Sequence, residues 1–77
     1  MPKAFVLINA ESGMEDKVLK ELKEIEGVNE AYFSYGVYDI IARVEAESME
    51  ELKDLITRRI RALSKVRSTL TLIITEE

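Results

Sequence analysis

The sequence predicts an α+β fold in the order β-α-β-β-α-β, with a four-stranded antiparallel sheet carrying two helices on one face. Three observations lead there. Four short runs are rich in apolar and β-branched residues, as strands require. Two segments between them carry apolar residues at helical spacing. Each of those segments opens with Ser-x-x-Glu, the pattern in which both side chains satisfy free amides at a helix start.

The first strand is read over residues 3–9, with Phe5 and Leu7 on one face and Ala4, Val6 and Ile8 on the other. Both faces are apolar, as in a central strand covered on both sides. Ser12-Gly13-Met14-Glu15 opens the first helix, whose stripe is Met14, Val18, Leu22 and Ile25, and Gly27 stops it. The second strand spans residues 28–35 and contains Ala31, Tyr32 and Phe33. A turn at Gly36 leads into a third strand, with Tyr38, Ile40, Ala42 and Val44 on one face and Ile41, Arg43 and Glu45 on the other. Ser48-Met49-Glu50-Glu51 opens the second helix, which carries Met49, Leu52, Leu55, Ile56, Ile60 and Leu63 on its apolar side. Residues 68–75 form the last strand, with Leu70, Leu72 and Ile74 directed inward and Thr69, Thr71, Ile73 and Thr75 on its other face. Two right-handed crossovers join these elements into the split arrangement called ferredoxin-like.

At 77 residues the chain, residues 1–77, is read as a single domain. Its 47% hydrophobic and 34% charged residues suit a folded domain and argue against disorder. Cysteine and histidine are absent, which removes disulfides, thiolate or imidazole metal sites, and the commonest nucleophile and proton-shuttle chemistry. No carboxylate spacing resembles a calcium loop, and no cofactor is implied. The net charge of −4 gives no basic field to hold nucleic acid or an anionic membrane. The apolar run from Ala4 to Ile8 is too short for a signal peptide or a membrane span, so a cytoplasmic protein is expected.

Helices on one face leave the other face of the sheet uncovered. That face is expected to carry apolar residues of the first strand plus Ile41 and Ile73, or their alternates. A bare apolar face on so small a domain marks an interface, and pairing of two copies through their sheets is the expectation. Scattered surface β-branched residues are the plainer explanation.

One stretch offers recognition chemistry: Tyr35-Gly36-Val37-Tyr38-Asp39. Gly36 permits positive φ and a close approach to the backbone. Asp39 is suited to accept from an ammonium group, and amides around Gly36 to receive a carboxylate. Those are the two charged ends of a free α-amino acid. The same residues also serve an ordinary hairpin turn. The basic residues Arg58, Arg59, Arg61, Lys65 and Arg67 complement the end of the second helix. An RNA-reading sheet would need aromatics on its third strand, and Ile40 to Val44 supply none. No nucleophile has a base beside it in sequence, and no enzyme is expected.

Taken together, Tyr35-Gly36-Val37-Tyr38-Asp39-Ile40-Ile41, then a helix, then Val66-Arg67-Ser68-Thr69-Leu70-Thr71 resembles the effector-binding (RAM) domain of the Lrp/AsnC transcription regulators. The resemblance runs over essentially the whole chain. It implies a non-enzymatic amino-acid-binding domain that dimerises through its sheet and joins into larger assemblies of dimers, with effector between dimers near the glycine turn. By position, Gly36 and Asp39 match that turn, with Val37 and Tyr38 between them and Tyr35 beside it. Thr69 and Thr71 match the threonines that approach the site from another subunit. Two departures stand out. The chain has no room for the helix-turn-helix domain of these regulators, so direct DNA binding is not expected, and a full-length Lrp/AsnC regulator becomes a candidate partner. Lys65 also stands where the family often has glycine before the last strand. Two other readings stay open: a structural or protein-interaction module without ligand, and an ACT-like amino-acid-binding domain, which would bind near residues 9–13.

Overall fold

The structure, a computed structural model, describes residues 1–75. Its elements are β1 (Lys3–Ala10), α1 (Glu15–Lys23), β2 (Val28–Phe33), β3 (Ile40–Glu45), α2 (Met49–Leu55), a π turn (Ile56–Ile60) that continues α2, and β4 (Val66–Ile74). The strands form one sheet in the order β2-β3-β1-β4, every neighbouring pair antiparallel. The ferredoxin-like order and topology therefore hold. Among these residues no helix is long and apolar enough to cross a membrane.

The core lies between the sheet and the helices. β1 sends Ala4, Val6, Ile8 and Ala10 into it, β3 sends Ile40, Ala42 and Val44, and β2 adds Ala31. The helices return Val18, Leu22, Leu52, Ile56 and Ile60, and Ile25 follows α1. Alternation on β1 and β3 is strict because one face of each is sealed by helices.

Of the two serines expected to cap a helix, Ser48 does. Ser48 Oγ accepts from the Glu51 amide at 3.1 Å and starts α2. The Ser12 box does not form. Residues 11–14 make a turn closed by Met14 N to Glu11 O, Gly13 takes φ +84°, and Met14 occupies the cap position with no side-chain bond. Ser12 is thereby too far upstream to reach the first helical amides, and Glu15 instead accepts a long bond from Gly13 N at 3.4 Å. At its other end α2 widens by one residue, with Arg61 N donating to Ile56 O at 2.9 Å. This π turn keeps Ile56 and Ile60 both buried.

The orientation of β4 reverses the expectation for that strand. Thr71 pairs with Val6 and Thr69 with Ile8, so the threonines share the helix side with buried core residues. Ile73 lies opposite Ala4 and packs against the core. Leu70, Leu72 and Ile74 lie opposite Leu7, Phe5 and Lys3, on the face the helices leave open. Hydrophobicity alone suggested leucines inward, but both faces of this sheet are apolar, and pairing register decides the outcome.

Two rows cross that open face. Tyr32, Ile41, Leu7 and Leu70 form one, and Glu30, Arg43, Phe5 and Leu72 form the next. Tyr32, Leu70 and Leu72 are exposed by about half, at 57%, 45% and 48%. The apolar residues of this face lie beside the pair Glu30 and Arg43.

Candidate functional site

The hairpin between β2 and β3 is longer than a tight turn. Its strands end at Phe33 and Ile40, and Ser34 N to Asp39 O at 2.8 Å closes the six residues between. Tyr35 and Val37 are fully or mostly exposed, and Tyr38 is half-buried ahead of β3 instead of within it. Gly36 adopts φ +123°, a conformation that side-chain-bearing residues rarely take. Apart from Tyr35 and Val37 on either side, no residue comes within 4 Å of where a Cβ at Gly36 would sit, so the space over this glycine is open.

Asp39 is held differently. Its amide donates to Ile8 O at 3.0 Å and to Asn9 Oδ1 at 3.2 Å, and its Oδ2 accepts from Ala10 N at 3.1 Å. The residue that ends the hairpin is thus fastened to the end of the central strand. It faces a concavity of about 470 Å³ lined by Asn9, Ala10, Ser12, Glu15, Asp39, Arg67 and Ser68. This volume falls within the range of small-molecule sites.

Of the expected site residues, only Asp39 reaches this concavity. Tyr35, Gly36, Val37 and Tyr38 lie on the loop leading to it. Thr69 and Thr71 are half-buried on the helix side of β4, next to the rim residue Ser68 but outside the lining. The lining adds residues that the sequence pattern did not single out: Glu15 at the start of α1, and Arg67 and Ser68 at the start of β4. Asn9, Ala10 and Ser12 belong to the loop where an ACT-like domain would bind, and the fold brings that loop against Asp39. The signal for Arg67 and Ser68 lay in their place directly before Thr69. Among the described residues no cluster of three or more acidic, histidine or cysteine side chains is arranged to hold a metal.

A sequence model of the family described as the Lrp/AsnC ligand binding domain matches residues 3–77. Regulatory protein AsnC of Haemophilus influenzae is 34% identical over 58 residues, covering 75% of this chain and 39% of that protein. An uncharacterized HTH-type transcriptional regulator of Pyrococcus furiosus is 33% identical over 73 residues, covering 91% of this chain and 49% of its own length. The chain spans less than half the length of either relative. Among solved structures, a Thermus thermophilus protein superposes with a TM-score of 0.94 at 34% identity, covering 100% of this chain and 96% of that one. A hypothetical protein of Pyrococcus horikoshii does so at 0.92 and 36%, covering 100% and 93%. A Neisseria meningitidis transcriptional regulator in complex with L-Met shares the fold, with a TM-score of 0.85 at 10% identity over 99% of this chain and 51% of that one. The match over nearly every residue, on the fold described above, places this chain in the Lrp/AsnC ligand-binding domain family.

Proposed function

We propose that this chain is a non-enzymatic amino-acid-sensing module. It pairs through the open face of its sheet, and pairs join around an effector bound at the 35–39 loop. Asp39 and the backbone around Gly36 supply one wall of the site. Thr69 and Thr71 of a neighbouring subunit approach from the other side. The observation that carries this reading is Asp39 fixed at the mouth of a polar concavity, beside a glycine whose outer side is empty. Membership of a ligand-binding family supports it, as does an L-Met complex of a protein with the same fold.

Self-pairing has a physical basis in the open face. Tyr32, Leu70 and Leu72, each about half exposed on that face, are the apolar surface a second copy would cover. Effector seated between pairs would make binding and assembly thermodynamically linked. Mixed assembly with a full-length regulator is the route by which such a module would act on transcription.

The test is calorimetric titration with the twenty amino acids while assembly size is followed by ultracentrifugation. Binding of at least one amino acid together with a change in assembly is expected. Absence of binding with an unchanged assembly would leave the structural-module reading in its place.

A further inference from the structure

The concavity beside Asp39 carries three charged side chains: Asp39, Glu15 and Arg67. Among the described residues none of them is ion-paired. Asp39 spends one carboxylate oxygen on Ala10 N, and Glu15 holds Gly13 N only at 3.4 Å, so each keeps an oxygen for another donor.

The placement of Arg67 is specific. Asn9 pairs with Ser68 and Ala10 with Val66, so Arg67 is the extra residue at an irregularity in the β1–β4 ladder. Such a bulge re-aims a side chain, here toward the end of β1. Asp39 reaches the same strand end from the β3 side. A guanidinium and a carboxylate therefore flank one opening from its two edges, with Glu15 at the start of α1 as the third charge.

A free amino acid presents one cation and one anion at its α-carbon, which Asp39 and Arg67 match. Glu15, at the start of α1 and holding only a long bond from Gly13 N, then has no cationic side chain of its own. An apolar side chain would leave it facing a hydrophobe, whereas a cationic side chain would pair with it. We propose that this site selects amino acids with a cationic side chain. Asp39 takes the α-ammonium, Arg67 the carboxylate and Glu15 the side-chain cation. The inference rests on the amino-acid-sensing reading and adds two residues to it, Arg67 and Glu15.

The experiment is calorimetry with lysine, arginine and ornithine against leucine and methionine, on the unaltered protein and on Glu15→Gln, Arg67→Gln and Glu50→Gln. Circular dichroism on each variant checks the fold. The basic amino acids are expected to bind at least about tenfold more tightly than the apolar ones, the equivalent of one modest charge pair. Glu15→Gln should erase that preference, while Glu50→Gln, which removes the same charge elsewhere on the surface, leaves it intact. Arg67→Gln should weaken lysine to the level of cadaverine, which lacks the carboxylate. Equal or tighter binding of leucine or methionine overturns the selectivity and leaves amino-acid sensing standing. A basic preference that survives Glu15→Gln overturns the assignment of Glu15. Absence of binding by any of the five overturns the selectivity, and the panel of twenty amino acids then decides separately whether the sensing reading stands.

Discussion

The Asp39 carboxylate accepts from the amide of Ala10 at 3.1 Å, across 29 residues of sequence. One side chain thus fastens the β2–β3 hairpin to the end of the central strand, and the same residue lines the concavity. On the proposed reading stability and recognition would meet in the same carboxylate, and they can be separated by chemistry.

Asp39→Asn keeps an oxygen for Ala10 N and removes the charge. It should leave urea unfolding nearly unchanged while amino-acid affinity falls about tenfold or more by calorimetry, since the lost contact is charge-assisted. Asp39→Ala also strips Ala10 N of its acceptor and should lower stability by about 1–2 kcal/mol. Equal affinity in Asp39→Asn and the unaltered protein would remove Asp39 from the site.

The glycines at 27 and 36 share a positive φ but differ in their surroundings. A Cβ on Gly27, at φ +101°, would collide with the Leu55 side chain and press on Glu45 O. Gly36 meets nothing. Gly27→Ala should cost about 2 kcal/mol or more, and Gly36→Ala about 1 kcal/mol from backbone strain alone. Chemical denaturation of both variants gives the comparison, and equal losses would refute the role of Leu55.

Ser48 caps α2, whereas Ser12 caps nothing. Ser48→Ala should destabilise by about 1 kcal/mol, and Ser12→Ala by less than about 0.5 kcal/mol. Thermal unfolding of the pair would distinguish them, and an equal loss from Ser12→Ala would restore the sequence-based capping box.

Leu72 lies on the edge strand of the open face, opposite Phe5, and is about half exposed. Leu72→Lys places a charge on that face without touching the core, so sedimentation should show monomer while far-ultraviolet circular dichroism stays native. An assembly unchanged by this substitution would show that copies pair elsewhere.

The order of elements was legible because β1 is a short, continuously apolar run and α1, β3 and α2 each carry a clear period, reinforced at α2 by Ser48. The strand ends were less so. Asp39 turns toward β1 for its hydrogen bonds, so β2 and β3 stop at Phe33 and Ile40 instead of running on to Tyr35 and back from Tyr38. The facing of β4 was not legible from its own residues. Leucines alternate with threonines along it, and both faces of the sheet accept apolar groups, so only pairing with Val6 and Ile8 fixes which set lies against the helices. The concavity was half visible. Asp39 was marked by its turn, but Arg67 enters through a ladder irregularity that no local pattern announces.

Two leucines of β4 stay in water in the single subunit, although they are as apolar as the residues beneath the helices. Covering them with a second copy would add apolar burial that the isolated chain lacks. The free energy of unfolding then contains a term in the subunit concentration, because dissociation and unfolding become one event. The temperature of half-unfolding should climb as the solution is made more concentrated, and a chain of this length would owe part of its resistance to heat to mass action.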